Sequence, residues 1–103
     1  MIGTGVPMDT AEAIKWNRLA AEQGSRTAQF GLGVLYSRGL GVTRDMPEAI
    51  TWYKRAGEQG ELRAYLLLGE VYENGEGVPQ DLALARAYYE KAASSTDAET
   101  RNK

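Results

Sequence analysis

The residues that most often carry catalysis or hold metal ions are scarce in this chain of 103 residues, which contains no histidine and no cysteine. Imidazole and thiolate metal sites, Ser-His-Asp triads and histidine general bases are therefore excluded. Three of the remaining carboxylates, those of Asp9, Asp45 and Asp81, recur every 36 residues. Each precedes a predicted helix, where a side-chain oxygen caps free backbone N–H groups. We therefore predict capping, and expect no enzyme activity, cofactor or metal site.

One glycine pair has the spacing of a phosphate-binding loop. Gly31 and Gly33 match the first two glycines of a dinucleotide-binding motif. That motif needs a strand before it and a helix after it, whereas these glycines fall inside a predicted helix. Close helix packing explains Gly33 better, and Gly69, one repeat later, supports the same interpretation.

The composition is typical of one folded, soluble domain. Hydrophobic residues make up 43% and charged residues 25% of the chain, and the net charge is −2. Because basic and acidic residues are interspersed, no continuous basic surface is predicted for nucleic acid. No apolar run is long enough to insert into a membrane. Residues 1–7 lack the regions of a signal peptide, so the cytoplasm is the default expectation for its compartment.

A repeat of 36 residues organises the chain. The segments that begin at Gly3, Gly39 and Gly75 all read Gly-x-Gly-Val, and the same step carries Trp16 to Trp52. Such a period is typical of arrays of small structural units. The structure of one 36-residue unit should therefore recur along the chain.

Each unit is predicted to contain two helices. Apolar and small residues recur at helical spacing, and strand alternation is not seen. Asp45 with Glu48 fits a capping box at a helix start, while Gly24 and Gly60 fit helix ends. The predicted helices span about 9–23, 25–38, 46–59, 61–74 and 81–94. Their apolar faces predict that the aromatic side chains are core, namely those of Trp16, Trp52, Tyr53, Tyr88 and Tyr89.

The residues shared between copies form one long pattern: Ala28-x-x-x-Leu32-Gly33-x-x-Tyr36-x-x-Gly39-x-Gly41-Val42-x-x-Asp45-x-x-x-Ala49-x-x-Trp52-Tyr53-x-x-Ala56-x-x-Gln59-Gly60. This pattern resembles the Sel-1-like repeat family, a relative of the tetratricopeptide repeat. The resemblance implies an all-α fold, a right-handed α-solenoid of about five helices with a concave groove. It also implies an adaptor or scaffold role without shared enzyme chemistry.

The period divides the chain into a repeat domain and a tail. We predict a repeat domain over 1–94, with a half repeat at 3–24 and full repeats at 25–60 and 61–96, and a polar C-terminal tail at 97–103. Two interpretations of the ends stay open, since Met1 falls where a preceding helix would have ended. The chain either ends there by nature or was trimmed from a longer one.

Binding residues are sought where the two full copies differ, because shared residues build the scaffold. On the first helix of each unit the differing positions lie within one sector, at about 100° per residue. Leu67 has two open interpretations, contact with a partner or packing on a neighbouring helix. The predicted partner-binding residues are Thr27, Gly31, Val34, Arg38, Arg63, Leu67, Glu70 and Asn74.

These features predict a non-catalytic module that binds a partner protein or peptide on the first-helix face. Arg26, Arg38, Arg63 and Asn74 could donate hydrogen bonds to an acidic segment. The alternatives are a scaffold that self-associates into a homo-oligomer through the open end of the stack, around Tyr88, Tyr89 and Ala92, or a repeat fragment of a larger regulatory protein.

Overall fold

Consecutive α-helices make up the part of the chain that the structure describes. The computed structural model describes the backbone of residues 10–101 and the side chains of residues 11–94. Within these residues there are five helices and no strand, so the all-α prediction is confirmed. Their bounds are α1 Thr10–Glu22, α2 Arg26–Arg38, α3 Met46–Glu58, α4 Leu62–Asn74 and α5 Leu82–Arg101.

Aspartates cap the second helix of each described full unit, as predicted. Asp45 accepts a hydrogen bond from the Glu48 backbone N–H (3.1 Å), and Asp81 accepts one from Leu84 N–H (3.0 Å). The predicted capping box at Asp45 is wrong in its second half. The Glu48 carboxylate instead accepts from Trp52 Nε1–H at 3.1 Å. The Asp45 N–H is already satisfied, because it donates to the Tyr36 carbonyl at 2.9 Å. Asp9 lies outside the described residues.

Glycines end the helices where the backbone turns to positive φ. Gly24 and Gly60 follow α1 and α3 with φ of 101° and 100°, which confirms their prediction as helix ends. Gly39 adopts the left-handed conformation after α2, and its N–H donates to the Leu35 carbonyl. This conformation strains any residue that carries a Cβ atom.

The last helix is longer than predicted. The sequence prediction ended it near residue 94, whereas α5 continues to Arg101. Position 96 is threonine where Gly24 and Gly60 stand in the earlier units. Without glycine or proline in this stretch, nothing forces the backbone out of the helical conformation. A polar sequence alone does not end a helix.

Each helix packs against its neighbours in chain order, from α1 on α2 through to α4 on α5. The close approaches use glycine. A Cβ atom at Gly33 would lie 2.5 Å from the ring of Tyr53, and one at Gly69 would lie 2.5 Å from the ring of Tyr89. The prediction that Gly33 and Gly69 allow close helix packing is therefore confirmed.

The aromatic residues predicted as core divide into two groups. Trp52, Tyr53 and Tyr88 are buried, and Tyr89 is half-buried. Trp16 is 57% exposed, so its assignment to the core is wrong. Trp52 is covered because it packs against α1 and α2, which come before it. Among the described residues no helix precedes α1, so the equivalent face around Trp16 has nothing to pack against.

Candidate functional site

A cleft of 170 Å³ lies between α2 and α4, close to their C-terminal ends. Helix α2 contributes only polar side chains to it, α4 contributes both apolar and acidic ones, and the loop after α4 contributes one more carboxylate. Its floor is Tyr53, a residue of α3 that is only 2% exposed. The lining residues are Ser37, Arg38, Tyr53, Leu67, Glu70, Val71 and Glu76.

Two hydroxyl groups meet at the floor of the cleft. The Ser37 hydroxyl lies 3.0 Å from the Val34 carbonyl and 3.2 Å from the Tyr53 hydroxyl. A serine hydroxyl has one hydrogen, and the carbonyl of Val34 can only accept. Either oxygen can therefore donate in the Ser37–Tyr53 hydrogen bond, since the serine hydrogen can point to the Val34 carbonyl or to the tyrosine.

The surroundings of the Tyr53 hydroxyl act on its pKa in both directions. Burial raises the pKa of Tyr53 above its ordinary value, and the carboxylates of Glu76 and Glu70 act in the same direction. The hydrogen bond to Ser37 and the positive charge of Arg38 oppose the shift. The lining thus carries two carboxylates and one guanidinium group. Among the described residues, neither carboxylate forms an ion pair with Arg38.

The predicted partner-binding residues fall into three groups. Arg38, Leu67 and Glu70 line the cleft together. Thr27, Arg63 and Asn74 are exposed elsewhere on α2 and α4, while Gly31 and Val34 are half-buried. A Cβ atom at Gly31 would approach Asn17 of α1, so this position faces α1. Both Leu67 and Val34 pack partly on the core, which fits the packing interpretation of Leu67.

Most of the donors proposed for an acidic segment are already used within the chain. Arg26 donates to the Gln59 carbonyl at 3.0 Å. Arg63 forms two hydrogen bonds to Glu61 and lies over the ring of Phe30, with 4.5 Å from Cζ to the ring centroid. Asn74 donates to the Glu76 carboxylate, which is 3.2 Å away. The guanidinium of Arg38 alone among the four has no hydrogen-bond or ion-pair partner among the described residues.

Sequence reasoning missed four residues of the cleft. Ser37 and Glu76 differ from their counterparts Glu73 and Leu40, so the comparison of copies that identified the other candidates could have found them. Val71 replaces Leu35 of the earlier copy, one apolar residue for another, and is buried. Tyr53 was assigned to the core alone, because the same residue type recurs at position 89. The Tyr53 hydroxyl is hydrogen-bonded to Ser37, and the sequence alone does not show that these two residues are close together.

A larger hollow of 510 Å³ lies at the outer side of α4 and α5. Its apolar part includes Leu82, which is 62% exposed, and one edge of Tyr89. The prediction that Tyr88 and Ala92 belong to this open end is wrong, because both are buried. Tyr88 stacks between Tyr72 and Tyr65, with ring centroids 6.0 and 6.1 Å away.

Two other kinds of site were sought among the described residues. No three Asp or Glu side chains there come together as a metal-binding group. None of the helices described is both long enough and apolar enough to cross a membrane.

Comparison with solved structures identifies proteins of the same fold. A Sel1 repeat protein from Oxalobacter formigenes matches with a TM-score of 0.85 and 45% identity, over 94% of this chain and 40% of that one. The protective antigen c5321 of uropathogenic Escherichia coli, which displays an SLR fold, matches with a TM-score of 0.81 and 42% identity, over 89% and 20%. Cysteine rich protein B of Helicobacter pylori matches with a TM-score of 0.77 and 25% identity, over 85% and 66%.

The chain spans less than half the length of the first two of these proteins. No curated protein sequence gives a significant match. The model of the Sel1 repeat matches three times, at residues 1–25, 26–61 and 62–97, in agreement with the 36-residue period. Together the three matches cover nearly the whole chain, and the protein belongs to the Sel1 repeat family.

Proposed function

We propose that this chain is a non-catalytic interaction module that binds a segment of a partner protein in the cleft between α2 and α4. Sel1 repeat proteins are typically non-catalytic scaffolds, and their repeats generally mediate protein–protein interaction. The observation that carries the proposal is the cleft itself, where Arg38, Leu67 and Glu70 meet over the floor formed by Tyr53.

The size of the cleft favours a protein segment over a small molecule. Small-molecule pockets usually measure about 300–1,000 Å³, whereas this cleft has 170 Å³. It has room for one side chain of a partner. The rest of the segment would lie along exposed residues of α2 and α4, such as Thr27, Arg63 and Asn74. Phe30 adds apolar surface to that path, partly covered by Arg63.

Affinity capture from the native host, with each retained protein quantified, tests this proposal. The cleft variant combines Arg38→Glu with Glu70→Lys, which exchanges two charges on exposed side chains and leaves the net charge unchanged. The matched control combines Lys54→Glu with Glu58→Lys on the exposed face of α3. We expect the cleft variant to lose at least one partner that the intact chain and the control both retain. Equal capture by all three folded proteins would contradict a binding site in the cleft.

A second candidate function is self-association through the hollow beside α5. On α3, the equivalent positions Met46, Ala49 and Tyr53 are buried beneath α4. On α5, the counterpart Leu82 is exposed and Tyr89 is half-buried, although Ala85 is buried. A second copy could bury this apolar surface.

Light scattering over a range of concentrations tests self-association. Under this candidate function the mass of the intact chain rises toward that of a dimer, and Leu82→Glu keeps it monomeric. Leu40→Glu is the matched control, since Leu40 is an exposed leucine (48%) in the loop after α2. A constant monomer mass for the intact chain would remove this candidate.

A further inference from the structure

The α5 side of the larger hollow corresponds to a face of α3 that is covered within the chain. Six residues of α5 line the hollow, and their counterparts 36 positions earlier are Met46, Ala49, Ile50, Tyr53, Lys54 and Gly57. All of these except Lys54 are buried. On α5, by contrast, Leu82, Arg86 and Ala93 are exposed. The same kind of surface therefore occurs twice, once buried and once largely exposed.

Helix α4 and the loop after it cover this face of α3. A Cβ atom at Gly57 would lie 2.6 Å from the ring of Tyr65 in α4, so the two helices touch at that point. A Cβ atom at Gly77, in the loop, would collide with the side chain of Met46. The surface on α5 is thus shaped for a helix that resembles α4.

The equivalent contact between α1 and α2 is built from different residues. Where α3 has Gly57 and α4 has Tyr65, α1 has Ala21 and α2 has Gln29. The Gln29 side chain is buried, and its Nε2–H donates to the Ala21 carbonyl at 3.0 Å. Within the chain, a glycine therefore faces a tyrosine ring, whereas an alanine faces a narrower side chain.

Position 93 is alanine, so α5 follows the α1 pattern at this point. A tyrosine placed over Ala93 as Tyr65 is placed over Gly57 would overlap the alanine methyl group. The separation at Gly57 is only 2.6 Å, which is too short for carbon atoms that are not bonded. Glutamine or a smaller side chain avoids this overlap. The residue over Ala93 would therefore decide which helices fit.

One charged residue replaces a buried apolar residue on this surface. Arg86 stands where α3 has Ile50, and its guanidinium group forms an ion pair with Glu90 at 3.1 Å. The aliphatic part of an arginine can pack on an apolar surface while its charged group stays in water. Arg86 is therefore compatible with the apolar face of an incoming helix.

We infer that the hollow beside α5 binds an amphipathic helix supplied by a partner protein, with the apolar face of α4 but glutamine or a smaller residue in the place of Tyr65. A second copy of this chain is a poorer source, because its own α2 and α4 are each packed on two sides. No residue lines both this hollow and the cleft between α2 and α4. The inference therefore goes beyond the proposed function, and each can fail without the other.

Two peptides with the sequence of residues 61–78 provide the probe, one unchanged and one with Tyr65→Gln. Both are titrated into the ¹⁵N-labelled chain, and the amide shifts of Leu82, Tyr89 and Ala93 provide the readout. We expect the Tyr65→Gln peptide to bind at least about tenfold more tightly, because the unchanged peptide overpacks against Ala93. In the Ala93→Gly chain this preference should disappear. Each chain is its own reference, so a change in its stability does not affect the comparison.

Changes at two exposed leucines test the location of binding. Leu82→Glu should greatly weaken the binding of the Tyr65→Gln peptide, whereas Leu40→Glu, outside the hollow, should not. Equal binding of both peptides by the intact chain, or a preference that Ala93→Gly leaves unchanged, would overturn the inference. Shifts confined to the cleft amides would also overturn it and would favour the proposed cleft site. If neither peptide bound, the inference would fail, and a Leu82-dependent dimer in light scattering would identify a second copy as the occupant.

Discussion

At the scale of single residues, two glycines of α2 stand in opposite surroundings although they are two positions apart. A Cβ atom at Gly33 would lie 2.5 Å from two ring atoms of Tyr53, whereas one at Gly31 would meet only Asn17, at 4.0 Å. A distance of 2.5 Å cannot be accommodated unless the tyrosine ring or the helix moves. The helix spacing therefore depends on Gly33 and not on Gly31.

We predict that Gly33→Ala lowers the free energy of unfolding by about 1–3 kcal/mol, the usual cost of overpacking a core. Gly31→Ala should instead raise it by up to about 1 kcal/mol, because alanine favours a helix over glycine. Urea denaturation measures both changes. Effects of the same sign and size would mean that the ring of Tyr53 does not set the helix spacing.

A second residue-scale prediction concerns the Tyr89 hydroxyl. Its hydrogen bond to Glu73 raises the pKa of Tyr89 to about 12. The native state thus favours the protonated phenol, which stabilises the fold below the unfolded pKa of about 10. This contribution is lost as the pH rises from about 10 toward 12.

The change Glu73→Gln should lower the pKa of Tyr89 toward its ordinary value, because it removes the carboxylate acceptor. Titration of ¹³Cζ-labelled tyrosine by NMR measures the shift. The resonance of Tyr53 serves as an internal control, since Glu73 is not among the groups that shift its pKa. An unchanged Tyr89 titration would show that the hydrogen bond does not persist in solution.

At the scale of helices, the aspartate caps determine how α3 and α5 begin. Asp45 bonds to both neighbouring helices, since its carboxylate accepts from Glu48 N–H and its own N–H donates to the Tyr36 carbonyl. Asp81 does the same with Leu84 and Tyr72. Each loop is therefore tied to the helix before it and to the helix after it by one residue.

We predict that Asp45→Ala destabilises the chain by about 0.5–2 kcal/mol, the usual cost of losing an N-cap. Asp45→Asn should destabilise the chain much less, because asparagine retains a side-chain acceptor and leaves the backbone bond to Tyr36 intact. Thermal unfolding followed by circular dichroism compares the two. Equal losses for alanine and asparagine would indicate that the charge, and not the hydrogen bond, matters at this position.

Local features such as the aspartate caps could be predicted from the sequence. The cleft could be predicted only in part. Caps, glycine turns and helix spacing depend on residues close in the chain, so one 36-residue unit contains their signals. The bond from Trp52 to the Glu48 carboxylate could not be predicted from the sequence. The Asp45 N–H that a capping box would offer to Glu48 instead donates to the Tyr36 carbonyl, which lies on the other side of a loop. Likewise Arg38, Leu67 and Glu70 were predicted separately, but nothing local shows that they meet above Tyr53.

At the scale of the whole molecule, the helices make most of their contacts with their neighbours in chain order, so position in the stack determines how well a helix is supported. Among the described helices, α2, α3 and α4 are packed on two sides, and α1 and α5 on one. The 57% exposure of Trp16, against 4% for Trp52, reflects this difference. Stability in such arrays is approximately a sum over neighbouring interfaces.

We therefore predict that the stack opens from its ends. Backbone amides in the middle turns of α3 and α4 should exchange their hydrogens at least about tenfold more slowly than those of α1, since end helices can detach by losing one interface. Hydrogen exchange followed by NMR gives the rates residue by residue. Uniform protection across all the described helices would instead indicate that the array unfolds as one unit.

Tyr53 links two properties that could otherwise change independently during evolution. Its ring fills the space over Gly33, while its hydroxyl forms the floor of the cleft. A mutation to a smaller residue would leave a gap between α2 and α3 before it altered recognition. Descendants of this sequence can therefore change the binding preference of the cleft most readily at positions 37, 38, 70 and 76, while position 53 stays aromatic.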